Sequence, residues 1–141
     1  MRALTCVAVL LVVTASGCFG GKKSSSGGSE CGPTSAQPSA GSAEISGRAL
    51  GKGFNRTILV HAKDKKSGDP IDHGRVKVRA EMQCPHFMPL YEKSLPETSS
   101  GTYKGSYNLI MQGHWLFYVT LRDRNGGATT TAFPVTVGSG S

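Results

Sequence analysis

From residue 44 onward the chain alternates polar and apolar positions in short runs: 44–50 (EISGRAL), 56–64 (RTILVHAKD), 74–82 (GRVKVRAEM), 101–111 (GTYKGSYNLIM), 114–123 (HWLFYVTLRD) and 129–137 (TTTAFPVTV). A period of two is the signature of strands with one buried face. Turn sequences separate the runs: KSGDP at 66–70, SSG at 99–101 and RNGG at 124–127. Six strands and a seventh around 82–88, spaced about ten residues apart, predict an all-β, immunoglobulin-like β-sandwich of about seven strands over 44–138. No long segment has helical periodicity. The alternation also assigns faces. Val76, Val78, Ala80 and Met82 share one side of their strand, opposite Arg75, Lys77, Arg79 and Glu81. Trp115, Phe117, Val119 and Leu121 form a second inward row.

The first 43 residues differ in kind. Arg2, the apolar run 4–13 and the small residues 14–17 have the layout of an export signal, too short for a comfortable membrane span. The residues ASGC ending at Cys18 resemble the lipobox of bacterial lipoproteins, with Ala15 in place of the usual leucine. That resemblance implies cleavage before Cys18, which becomes the acylated first residue of the mature chain, and a membrane anchor on the extracytoplasmic face, periplasmic or at the cell surface. The competing reading is an ordinary cleaved signal with an incidental cysteine. Residues 19–43, rich in Gly, Ser, Ala and Pro, cannot bury enough apolar surface to offset ordering and are expected to be a flexible tether. Such a tether spans roughly 25–30 Å.

The formal charge is +7, and loss of Arg2 with the signal leaves 15 basic against 9 acidic residues, a net +6. An exported chain meets little nucleic acid, so none is expected as a partner. The basic residues alternate with apolar ones and fit a solvated sheet face. Lys22 and Lys23 would lie near headgroups.

Candidate chemistry centres on 82–88, MQCPHFM, where Met82, Cys84, His86 and Met88 fall at every second position. Two thioethers, a thiol and an imidazole form a soft donor set of the kind that suits Cu(I). Two features limit that reading. Met82 continues the inward row and by default fills the core, and Pro85 donates no ladder hydrogen bond and interrupts the strand. With three prolines between 85 and 97, Cys84, His86 and Met88 are expected where a strand runs out into a long loop. Met111 and His114 flank the next turn and are further candidate ligands, against the plain alternatives of core packing and a polar turn residue. His61 and His73 lie outside the motif. Cys84 carries a second reading. Once Cys6 is removed and Cys18 acylated, Cys31 is the only other thiol, and in an oxidising compartment the two could pair. No nucleophile elbow, zincin motif or placed carboxylate pair is present, so no enzymatic activity is expected.

The order of a DxxxGxPI segment (64–71), a basic strand, Phe87-Met88-Pro89 and then GTYKGSYNLIMQGHWLFYV (101–119) resembles the YtkA-like or FixH-like exported domains. The resemblance covers roughly 45–137. It implies a small immunoglobulin-like module associated with copper handling or with assembly of copper-containing respiratory enzymes, without catalysis. Only Met88 has a direct counterpart in the family's methionine and proline segment. Cys84 and His86 precede it, and Leu90 and Tyr91 stand where a second methionine is expected. Two functions remain open: a lipid-anchored module binding copper as Cu(I), and a metal-free interaction or assembly module for a neighbouring membrane protein.

Overall fold

A computed structural model describes residues 35–138. The expected signal, the lipidation site Cys18, most of the tether and Cys31 lie outside the described residues. The described chain is all-β, with nine antiparallel strands: β1 (Gln37–Ala40), β2 (Ala43–Leu50), β3 (Asn55–Asp64), β4 (Arg75–Cys84), β5 (Met88–Leu95), β6 (Glu97–Ser99), β7 (Thr102–Asn108), β8 (Gly113–Arg122) and β9 (Ala128–Val137). Five form one sheet in the order β1-β9-β8-β4-β5, and four form the other, β2-β3-β7-β6. The two inner faces enclose the core, giving the immunoglobulin-like sandwich read from the alternation.

The inward rows fall as the period of two requires. Val76, Val78, Ala80 and Met82 of β4 and Trp115, Phe117, Val119 and Leu121 of β8 are buried against Ile58, Val60, Tyr103 and Tyr107 of the opposite sheet. The outward row of β4 is solvated and neutralised in pairs. Lys77 meets Glu92 at 2.6 Å, and Arg79 meets Glu81 at 2.8 Å while lying over the Tyr118 ring at 5.3 Å. Exposed pairs of this kind contribute about 0–1 kcal/mol each. The basic stripe is therefore accounted for by surface solvation.

Two elements depart from the sequence expectations. Strand β1 lies inside the segment read as tether, so the folded part begins by Gln37 rather than at Glu44. Polar contacts hold it: Thr131 Oγ1 donates to Gln37 O (2.7 Å), Ser39 Oγ accepts from Ile45 N (2.9 Å), and Lys65 Nζ donates to Ser39 O and Gly41 O (2.8 and 2.7 Å). A strand docked by backbone and polar contacts leaves no apolar alternation to read. Secondly, residues 85–97 are not a long loop. Only 85–87 connect β4 to β5, and β5 is an edge strand, where Pro89 removes no hydrogen bond that the sheet needs. At Pro96 the chain passes from this sheet to the other.

Strand β7 contributes two tyrosines whose hydroxyls cross the sandwich. Tyr103 Oη donates to Ile71 O (2.8 Å) and accepts from Gly74 N (3.0 Å), tying down the segment that leads into β4. Tyr107 Oη donates to Tyr91 O and accepts from Ala80 N (3.3 Å). That second bridge falls where the β4–β5 register shifts between Arg79 and Glu81, so the hydroxyl fills a gap in the ladder. Burial raises the pKa of both phenols above the usual 10.

Candidate functional site

One end of the sandwich gathers nearly all the sequence-selected residues. There lie the β2–β3 turn (51–54), the β4–β5 turn (85–87), the β7–β8 connection (109–112) and the end of β9. The register explains the convergence. Asn55 faces Asn108 across β3–β7, Gly113 faces Val137 across β8–β9, and Cys84 faces His114 across β4–β8.

The six candidate ligands differ in burial and setting. Met82 is fully buried, opposite Trp115 on one neighbouring strand and Met88 on the other, and it serves as core packing. Met88 is half-buried and packs against the same core. The register shifts again between Met82 and Cys84, so that Cys84 pairs with His114. Cys84, Leu116 and Ala132 are buried yet lie outside the main core cluster. The alternating burial of β4 nevertheless continues through Met82 and Cys84, with Gln83 exposed between them.

Cys84 is disulfide-bonded, which removes its thiolate from any ligand set while the bond is intact. The expected partner Cys31 lies outside the described residues. His86 is exposed in the 85–87 turn. His114 is half-buried, with Nδ1 3.2 Å from Thr136 Oγ1. Met111 is 40% exposed, and its carbonyl accepts a hydrogen bond from Trp115 Nε1 (3.1 Å). Among the described residues no three His, Cys, Asp or Glu side chains are grouped to hold a metal ion. His61 pairs with Thr102 Oγ1 (3.2 Å) in mid-sheet, and His73 lies at the opposite end near Asp72 and Glu97.

Gly113 is central to this end. Its φ is +146°, and a Cβ there would stand 2.3 Å from Cys84 O and 3.1 Å from Met82 Sδ. Only glycine allows β8 to start so close to the end of β4. The same end is also apolar in character. Leu50, Phe54, Phe87, Ile110 and Met111 are exposed, with Phe87 67% and Ile110 56% accessible. Of the large hydrophobic residues exposed among the described residues, only Tyr91 lies outside this set, and it stacks on Tyr107 at 5.2 Å. A single exposed apolar residue is ordinary, whereas here five stand on or beside three turns of one end. FNR, PHF and LIM are too short to be read as patterns. Their sum appears only when the topology brings the turns together.

No protein-family model and no curated protein matches the chain. Among solved structures the fold is similar to the PmoD soluble domain from Methylocystis sp. ATCC 49242 (Rockwell), with a TM-score of 0.50 at 14% identity, covering 72% of this chain and 97% of that one. A DUF3244 family protein with an immunoglobulin-like β-sandwich fold from Bacteroides vulgatus ATCC 8482 aligns with a TM-score of 0.34 at 16% identity, over 70% of this chain and 99% of its own. The PKD domain of human SorCS2 aligns with a TM-score of 0.35 at 15% identity, over 92% and 98%. At these identities the likeness is one of fold.

Proposed function

We propose that the protein is a non-catalytic binding module, tethered to the extracytoplasmic face of a membrane through acylated Cys18, whose working surface is the turn-bearing end of the sandwich. In this reading it serves assembly or interaction at the membrane, in keeping with its resemblance to YtkA-like and FixH-like domains. The observation that carries the proposal is the concentration of exposed Phe54, Phe87, Ile110 and Met111 at that end. These side chains forgo burial in a domain of modest core, and a partner would recover the apolar contact they lack.

As folded, the donor set does not fit a Cu(I) centre. Met82 is enclosed in the core, Cys84 is committed to a disulfide, and His86 and Met111 stand on separate turns. Metal-free binding is therefore the better reading. Copper handling is a second reading confined to the reduced protein, favoured by the direct opposition of Cys84 and His114. Cu(I) titration before and after reduction tests it. Uptake only after reduction, lost in Cys84→Ser and His114→Ala, supports it, and equal absence of uptake in both states rejects it.

The working surface is tested in cells with a photo-crosslinking amino acid placed at residue 87 or, as a control, at residue 124 in the β8–β9 turn of the opposite end. Adducts with membrane components are expected from residue 87 and not from residue 124. The reverse pattern, or no adduct at residue 87, rejects the assignment.

A further inference from the structure

The turn-bearing end differs from the opposite end in charge as well as in apolarity. Residues 51–56, 82–91, 108–116 and 133–138 contain no aspartate or glutamate. Exposed Lys52 stands on the β2–β3 turn beside Phe54, and exposed Arg48 lies near the end of β2. The Arg56 guanidinium also lies here, donating to Gly51 O and to Thr136 O (3.3 Å) and so bracing the turn that carries Phe54. At the opposite end lie Asp64, Asp69, Asp72, Glu97 and Asp123, in or beside the connections 65–74, 96–101 and 123–127. One end is apolar and carries Arg48, Lys52 and Arg56 with no carboxylate in its turns, while the other mixes most of the acidic groups with Lys63, Lys65, Lys66, Arg75, Arg122 and Arg124.

The path of the chain supplies an independent observation. Strand β1 pairs antiparallel with β9, Gln37 facing Ala132 and Ala40 facing Thr130. Strand β9 ends at the turn-bearing end with Val137 facing Gly113. The polypeptide therefore enters β1 from the side of that end.

We propose that the partner of this end is an anionic lipid surface, with Phe54, Phe87, Ile110 and Met111 seated among the headgroups and Lys52 and Arg48 against lipid phosphates. The proposal rests on the working-surface reading above and names its ligand class. Large apolar side chains on separate adjoining turns can each enter an interface without a complementary groove, which suits a bilayer better than a shaped protein pocket. Basic side chains add attraction to anionic lipids that salt screens, and no carboxylate at this end opposes it. The sandwich would then stand end-on to the membrane, its approach fixed by the direction of β1, with His86 and His114 close to the headgroup layer.

Vesicle cosedimentation of oxidised protein comprising residues 19–141, which retains every described residue, tests this. Phosphatidylcholine vesicles are compared with vesicles that also contain phosphatidylglycerol. Binding is expected only with phosphatidylglycerol and is expected to fall with salt. The double variant Phe87→Ser with Ile110→Ser should weaken binding about tenfold or more, given the apolar area removed. Lys52→Glu should weaken it about tenfold, and Arg124→Glu at the opposite end should leave it unchanged. Because Phe87, Ile110 and Lys52 are exposed, unchanged Trp115 emission and melting serve to show that the variants are folded. Two results overturn the proposal: no binding to phosphatidylglycerol vesicles, or binding that the end variants leave intact. If vesicles fail while crosslinks from residue 87 still reach a membrane protein, the lipid assignment falls and the working surface stands. If neither is seen, both fall.

Discussion

Replacing Tyr107 with phenylalanine isolates one structural device, because the ring stays and only the hydroxyl leaves. The ring is fully buried, stacked on Tyr91 and edge-on to Phe117 at 5.2 Å, and phenylalanine keeps those contacts. The hydroxyl bridges Ala80 N–H and Tyr91 C=O at the interruption of the β4–β5 ladder. Without it, Ala80 N–H remains in a residue with no accessible surface, whereas Tyr91 is exposed and its carbonyl can turn to water. An unsatisfied buried group costs about 1–3 kcal/mol. The Ala80 bond is long at 3.3 Å, which places its loss in the lower half of that range. Tyr107→Phe should therefore destabilise by about 1–2 kcal/mol, lowering Tm by roughly 5–10 °C for a domain of this size. Thermal melts followed by Trp115 emission measure the shift, and amide exchange at Ala80 reports the bond itself. A Tm change under about 2 °C with unchanged Ala80 protection would refute the bridging role.

Both phenols of β7 have folded pKa values raised by burial, so the folded state retains their protons where the unfolded chain loses them. Their contribution is complete below the unfolded value near 10 and is lost as pH climbs through the folded values. Alkaline destabilisation above about pH 10 should therefore be shallower in Tyr103→Phe and Tyr107→Phe, as read by melts across that range. Gly113→Ala should cost about 2 kcal/mol or more in denaturant titrations, since φ is +146° and the new Cβ meets Cys84 O. Cys84→Ser, or reduction of the wild type, should lower stability by about 2–4 kcal/mol through loss of the disulfide, read as the shift in denaturation midpoint. Phe87→Ser should change stability by less than about 0.5 kcal/mol, because its side chain is mostly in water.

The parts of the fold that were legible from sequence are those driven by burial. The rows Val76 to Met82 and Trp115 to Leu121 repeat every second residue because one face meets the core, and they emerged with the expected orientation. Strand β1 was missed because Ser39, Thr131 and Lys65 hold it through hydrogen bonds. Strand β5 was read as loop because Pro89 argues against a central strand, and it sits at an edge. For the site, Cys84, His86, Met88, Met111 and His114 fall at one end of the sandwich, while Met82 packs in the core. A one-residue bulge separates Cys84 from Met82, and no local sequence signal announces a bulge. The surface made by Phe54, Phe87 and Ile110 depends on three turns that are distant in sequence, so it exists only at the level of topology.

The most direct test of the working surface is amide hydrogen exchange on the protein with and without membranes from the cells that produce it. Slowed exchange confined to 51–54, 85–88 and 109–112 is the expected result, whatever the mixture of lipid and protein in those membranes. Protection spread over the outer faces of the sheets, or centred on 65–74 and 123–127, would contradict it.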